Sequence, residues 1–181
     1  MNLAILGAGN IGNKMATTVK QMEGVTLYAV ASRSLAKAKE FAQKYSIPKA
    51  YGSYEEMLKD RDADLVYVCT PHSHHYEHMK LALEHNKHVL CEKAFTVNAR
   101  QAKEILDLGK RKGLLVAEAI WTRYLPMRTV LDQILARRVI GEVQTLPPTL
   151  HIRSVMSNGC GIPILPPDHC SICRSTRSTL R

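Results

Sequence analysis

Long hydrophobic runs are missing from this chain. Nothing in its 181 residues approaches 18 consecutive apolar positions, which argues against a transmembrane helix. The first residues run from Met1 and Asn2 into a glycine-rich turn without a basic leader or a small-residue cleavage site, so no secretory signal is expected and no membrane partner. Aromatics are scarce, at 6% with one Trp and two Phe, and no basic stripe interleaves with them. Nucleic acid is therefore not an expected partner. Cysteines are few and odd in number, five at positions 69, 91, 160, 170 and 173. That is no disulfide framework, and it points to a reducing, cytoplasmic compartment. Acids fall short of bases, 16 Asp+Glu against 25 Lys+Arg for a net charge of +9. Residues 1–146 carry 21 bases and 15 acids, a net +6, while 147–181 carry four Arg and one Asp, a net +3. In the first part the charges mix along helical stretches, as at Lys37, Lys39, Glu40 and Lys44, which reads as solvated helix faces. What is present is an ordinary apolar content of 45%, enough for one globular domain, or one domain plus a fragment.

Through residue 146, short apolar runs alternate with helical periodicity. Asn2 to Leu6 is a strand ending at Gly7, and Ile11, Met15, Val19 and Met22 then recur at helical spacing. Val25 to Ala31 is the next apolar run, and Leu35, Ala38, Phe41, Ala42 and Tyr45 mark the helix after it. Ser53 and Glu56 have the spacing of a capping box. Leu65 to Cys69 is wholly apolar, as strands buried on both faces of a parallel sheet are. A helix over His75 to Glu84, a strand from His88 to Cys91, a helix capped by Asn98 and a strand from Leu114 to Glu118 follow. Pro126 suits the first position of a last helix with Met127, Val130, Leu131, Ile134 and Leu135 on its apolar face. Such alternation implies βαβ crossovers and an α/β, doubly wound parallel sheet covered on both sides.

Chemistry concentrates where these strands end. Gly7, Gly9 and Gly12, in Gly-Ala-Gly-Asn-Ile-Gly, lie between the first strand and the first helix. That is the context in which glycines permit a tight turn, close approach of a pyrophosphate and close helix packing. An NAD-binding chain normally carries Asp or Glu at the end of the second strand to hold the ribose 2′-OH. This one has Ser32, Arg33 and Ser34, with Lys37 one turn on, groups that suit a dianionic 2′-phosphate. NADP is preferred over NAD. Cys69-Thr70-Pro71-His72-Ser73-His74-His75 follows the fourth strand and is positioned to line the ligand crevice. Six of the eight histidines fall between 72 and 88, and His74 and His78 can share a helix face. Their spacing does not supply a tetrahedral ligand set, so no metal is expected. Glu92-Lys93-Ala94 ends the fifth strand; a lysine there can donate to a substrate oxygen as hydride leaves carbon.

Taken in order, Gly-Ala-Gly-Asn-Ile-Gly, Ala-Ser-Arg-Ser, Thr-Pro-His-Ser-His-His, Glu-Lys-Ala and Glu118-Ala119-Ile120-Trp121-Thr122-Arg123-Tyr124 resemble the Gfo/Idh/MocA oxidoreductase family, in the branch of dihydrodiol and NADP-dependent xylose dehydrogenases. The resemblance covers residues 2–146. It implies a Rossmann domain over 1–120, with Gly7, Gly9, Asn10, Ile11 and Gly12 at the pyrophosphate and Ser32, Arg33 and Lys37 at the 2′-phosphate. Thr70, Pro71, His72 and His75 would line the nicotinamide side. Glu92 and Lys93 match the family's Glu-Lys-Pro signature, with Lys93 as the catalytic group, and Trp121 and Arg123 would reach the cofactor. The implied substrate is a sugar or cyclic diol.

Departures from the family are equally legible. Ala94 replaces the usual proline, which removes a rigid turn and easy access to a cis peptide, and His72 stands where asparagine is common. The resemblance implies a second α+β domain that shapes the substrate pocket and forms a homo-oligomer interface. Here 121–146 reads as its connecting helix and first strand, over Gly141 to Thr145. From Pro147 the composition changes: 147–181 has no Lys, one acid and five of the eight prolines. It reads as a poorly ordered tail, and the simplest expectation is a truncated product whose last 35 residues derive from another frame or exon. Cys160, His169, Cys170 and Cys173 offer only one Cys-x-x-Cys, which is not a zinc site.

Overall fold

The computed structural model describes residues 1–145, in two compact units divided after Ala119. The first is built from β1 (Asn2–Leu6), α1 (Asn10–Val19), β2 (Thr26–Ala31), α2 (Leu35–Tyr45), β3 (Lys49–Tyr51) and α3 (Tyr54–Lys59). It continues through β4 (Leu65–Val68), α4 (His75–Glu84), β5 (His88–Glu92), α5 (Ala99–Lys112) and β6 (Val116–Ala119). The six strands form one parallel sheet in the order β3-β2-β1-β4-β5-β6. The chain therefore runs outward from β1 to one edge, returns, and builds the other half from β4, the doubly wound arrangement expected from the alternation.

Strand periodicity sorts the core onto two faces. Ala4, Leu6, Val66 and Val68 pack with Met57, Met79, Leu83 and Ile105 from α3, α4 and α5. Leu3, Ile5, Leu65 and Tyr67 pack with Ala16, Val19 and Phe41 from α1 and α2. Each fully buried Leu, Ile or Met contributes about 1.5–3 kcal/mol. All four residues of β4 are buried, which explains why its sequence shows no alternation.

The helix ends agree with their sequence signals in part. Asn98 caps α5 by accepting from Gln101 N at 3.0 Å, and Ser34 caps α2. Ser53 occupies the extended N-cap position of α3 but its side chain makes no capping bond, so the expected capping box is not closed. A helix of six residues held by buried Met57 and Leu58 needs little help from its cap.

In the second unit a 3₁₀ turn over Trp121–Tyr124 leads into α6 (Pro126–Ala136), with Pro126 in the first turn as expected. The apolar face of α6 is exposed, from Met127 at 61% to Ile134 at 36%. The strand expected over Gly141 to Thr145 is absent among the described residues, which are irregular and exposed there. A lone extended segment has no neighbour to satisfy its backbone groups. The expectations for residues 147–181, including the cysteine and histidine group, lie outside the described residues.

Candidate functional site

Register brings the chemistry-bearing residues into one row. Leu6 aligns with Ala31 on one side and Val68 on the other, and Val68 aligns with Cys91. Gly7, Ser32 and Cys69, which begin three connections, and Glu92, which ends β5, therefore lie in one row across four adjacent strands at the carboxyl edge of the sheet. Three inter-strand spacings separate β2 from β5, about 14 Å.

The turn after β1 is shaped around missing side chains. Gly7 has φ +119°, and its N–H donates to Ala31 O at 3.0 Å. A Cβ on Gly12 would lie 2.6 Å from Gly7 O, whereas one on Gly9 would meet nothing within 4 Å. Beneath the turn sits Cys69, with Sγ 3.1 Å from Gly7 O; burial pushes its thiol up to about 12, so it acts as packing. Gly9 is the N-cap of α1 and supplies no capping side chain, and the first turn, with Asn10 and Ile11, carries no acid. Free N–H groups and the positive helix end are thus left open to an anion.

At the end of β2, Ser32 N donates to Tyr51 O at 3.2 Å, and Ser32 Oγ accepts from Ser34 N at 3.4 Å. Arg33 and Lys37 are exposed, and neither pairs with a carboxylate among the described residues. This edge is cationic and uncompensated. Open space at Gly9, an uncapped helix start and two free cations form a donor set that fits a phosphorylated dinucleotide.

After β4, Thr70 is buried and Pro71, His72 and His74 are exposed. Partial desolvation of its ring, with His75 and Lys93 nearby, lowers the His72 pKa although the residue as a whole is exposed. His75 is fully buried. Its Nδ1 lies 2.9 Å from Ala94 O and its Nε2 2.9 Å from Thr70 O, so the ring is wedged between two connections with a carbonyl oxygen against each nitrogen. It presents no free nitrogen to a ligand.

After β5, Lys93 is half-buried and its peptide bond to Ala94 is cis, although proline is absent. Tyr67 and Glu118, to which the sequence assigned no site role, hold this segment together with Glu92. Tyr67 donates its hydroxyl to Glu92, Glu92 also accepts from Lys93 N at 3.2 Å, and Glu118 accepts from Phe95 N at 2.9 Å. A lone phenol inside the apolar run Leu-Val-Tyr-Val was the available signal, since a buried hydroxyl needs a partner. The first unit thus gathers every expected site residue except Trp121 and Arg123, which belong to the second unit, in the turn before α6. Among the described residues, no group of three or more His, Cys, Asp or Glu is arranged to hold a metal, and no helix is long and apolar enough to cross a membrane.

Comparison with known proteins agrees with this geometry. The chain is 38% identical over 142 residues to a trans-1,2-dihydrobenzene-1,2-diol dehydrogenase from Danio rerio, covering 77% of this chain and 42% of that one. It is 48% identical over 121 residues to a D-xylose 1-dehydrogenase (NADP(+)) from Hypocrea jecorina, covering 65% of this chain and 31% of that one. It thus spans less than half the length of either relative. Its fold superposes with a TM-score of 0.74 and 28% identity on a 3-ketoreductase from Actinomadura kijaniata solved in complex with NADP, covering 78% of this chain and 45% of the other. Residues 1–120 match the family model for oxidoreductases with an NAD-binding Rossmann fold, and the chain belongs to that family, Gfo/Idh/MocA.

Proposed function

We propose that the chain binds NADP(H) across the carboxyl ends of β2, β1, β4 and β5, and serves hydride transfer between the nicotinamide and a carbinol carbon of a sugar or cyclic diol. The observation that carries the cofactor preference is Arg33 with Lys37, exposed and free of acidic partners, where a reader of the unphosphorylated ribose would carry a carboxylate. The named cofactor of the xylose dehydrogenase and the NADP in the ketoreductase complex support it.

Each residue of the row then has a task. Gly7, Gly9, Asn10, Ile11 and Gly12 receive the pyrophosphate on backbone N–H groups, and Ser32, Arg33 and Lys37 take the 2′-phosphate. Thr70, Pro71 and His72 border the nicotinamide side, while His75 acts behind them by holding Thr70 and Ala94. The bound dinucleotide supplies the hydride acceptor. Lys93 donates a hydrogen bond to the substrate oxygen and stabilises the negative charge that develops there as the hydroxyl proton leaves to solvent and hydride passes to the nicotinamide. Glu92, braced by Tyr67, fixes the backbone from which Lys93 extends. Trp121 and Arg123 keep the cofactor-binding role that the family resemblance implies for them.

A second reading is a cofactor-binding module that docks on another subunit without turnover, favoured by the exposed apolar face of α6. One assay separates the two. Purified chain is incubated with NADP(+) and a panel of aldopentoses and cyclic trans-diols, and reduced nicotinamide is followed by absorbance. Reduction that Lys93→Met lowers by roughly a hundredfold or more supports the enzyme, since single electrostatic donors contribute about that much. No reduction with any member supports the module.

A further inference from the structure

Asn13 has no task in the reading above, yet its side chain joins α2 to the turn that would receive the pyrophosphate. Its Nδ2 donates to Gly9 O at 2.9 Å, a carbonyl that already accepts from Asn13 N at 3.0 Å. Its Oδ1 accepts from Tyr45 OH at 2.8 Å and from Lys44 Nζ at 3.0 Å, both in the last turn of α2. Chemistry dictates this orientation of the amide, because a lysine carries donors alone and a carbonyl oxygen only accepts.

The anchors on α2 are themselves held. Tyr45 packs on buried Phe41 with ring centroids 4.8 Å apart, and Lys44 Nζ lies 5.1 Å from the centre of the Tyr45 ring. Lys44 pairs with no carboxylate among the described residues, so its charge is uncompensated where it meets Asn13. Gly9 O and Asn10 N belong to one peptide unit, which is trans, and a trans peptide points its C=O and N–H in opposite directions. Two donors that hold Gly9 O along the helix therefore aim Asn10 N–H out of the helix start, where N–H groups have no intrahelical partner and face an anion. The Lys44 ammonium behind the Asn13 amide adds to this, since hydrogen bonds in a chain polarise one another.

We infer that Asn13 is a positioning residue for the pyrophosphate turn: it holds the Gly9–Asn10 peptide with its N–H toward the ligand, and Tyr45 and Lys44 hold Asn13. This rests on the NADP(H) reading. The pyrophosphate is common to both cofactors, so Asn13 serves NADPH and NADH alike and leaves discrimination to Arg33 and Lys37.

Titration calorimetry with NADPH and with NADH tests it, in wild type, Asn13→Ala, Asn13→Thr and Tyr45→Phe. Asn13→Ala is expected to weaken both cofactors by the same factor, roughly fivefold, the net worth of one hydrogen bond. Asn13→Thr restores affinity, because its hydroxyl can donate to Gly9 O as those of Thr17 and Thr18 donate to the carbonyls four residues before them at 3.0 Å. Tyr45→Phe keeps Asn13, removes one of its anchors and weakens both cofactors equally by a smaller factor, which carries the test should Asn13→Ala not fold. Wild-type affinity in Asn13→Ala or Tyr45→Phe, no recovery in Asn13→Thr, or a changed ratio of NADPH to NADH affinity overturns the role of Asn13 while cofactor binding by wild type stands. Wild type that binds neither cofactor overturns the cofactor reading, and the role of Asn13 with it.

Discussion

At Gly12 one methyl group decides whether the turn after β1 can form. A Cβ there would sit 2.6 Å from a backbone oxygen of Gly7, which has no room to move because Gly7 N is bonded to Ala31 O and Cys69 fills the space below. Gly12→Ala is therefore expected to cost about 1–3 kcal/mol, as overpacking does, and to abolish NADPH binding. Urea unfolding and a cofactor titration of the same sample check both parts; unchanged binding would contradict the proposed role of the turn. At this scale the sequence was informative wherever a residue type has one physical use. Glycines at strand-to-helix spacing and an arginine in place of an acid could be read directly. Histidines could not, because the same side chain serves as a ligand, a stacking ring or a tie. His75 follows its motif as if facing the nicotinamide, yet only the fold reveals that the ring is buried with Thr70 O and Ala94 O against its two nitrogens.

Among the elements, the first sheet edge is joined to the β4 side by Asp60, the residue ending α3. Its carboxylate accepts from Lys49 Nζ at 2.7 Å, Tyr51 OH at 2.6 Å and Tyr28 OH at 3.1 Å, and its carbonyl accepts from Lys87 Nζ at 2.6 Å. Burial by itself would raise the Asp60 pKa, but the hydrogen bonds from Lys49, Tyr51 and Tyr28 outweigh it and hold the carboxyl well below the ordinary value of 3.8. The folded-state value is depressed, so the network stabilises the fold above the unfolded-state value and is lost as pH falls through the folded one. Lys49 is 41% exposed, which screens the Coulomb part and leaves the part-buried hydrogen bonds as the main contribution. Asp60→Asn is expected to lose about 2 kcal/mol at neutral pH and to flatten the fall of stability as pH drops below the ordinary carboxylate value of 3.8, measured by urea unfolding at pH values on both sides of it. An acid limb as steep as wild type would show that Asp60 does not drive it. None of this network was legible in the sequence, since Tyr28, Lys49, Tyr51 and Asp60 have no common spacing and meet only when β2, β3 and the end of α3 come together. The elements themselves were legible because apolar runs and helical periodicity survive without tertiary information. The missing cap bond at Ser53 and the missing strand at Gly141 to Thr145 mark where a local signal needs a neighbour.

For the molecule as a whole, the charge excess noted at the outset acquires a location. Exposed Arg33 and Lys37 lie at the same sheet edge as the uncapped start of α1, so part of the positive charge falls where the proposed phosphorylated cofactor would bind. The order of the strands makes this possible, because it sets the glycine turn between the arginine on one side and Lys93 on the other. The central claim is that residues 1–119 form a dinucleotide site built for the 2′-phosphate. Titration of the purified chain with NADPH and NADH under identical conditions tests it most directly. Tighter NADPH binding by roughly tenfold or more, the worth of one or two charge-assisted hydrogen bonds, is the expected result; equal affinity for the two cofactors, or no binding of either, would contradict the claim.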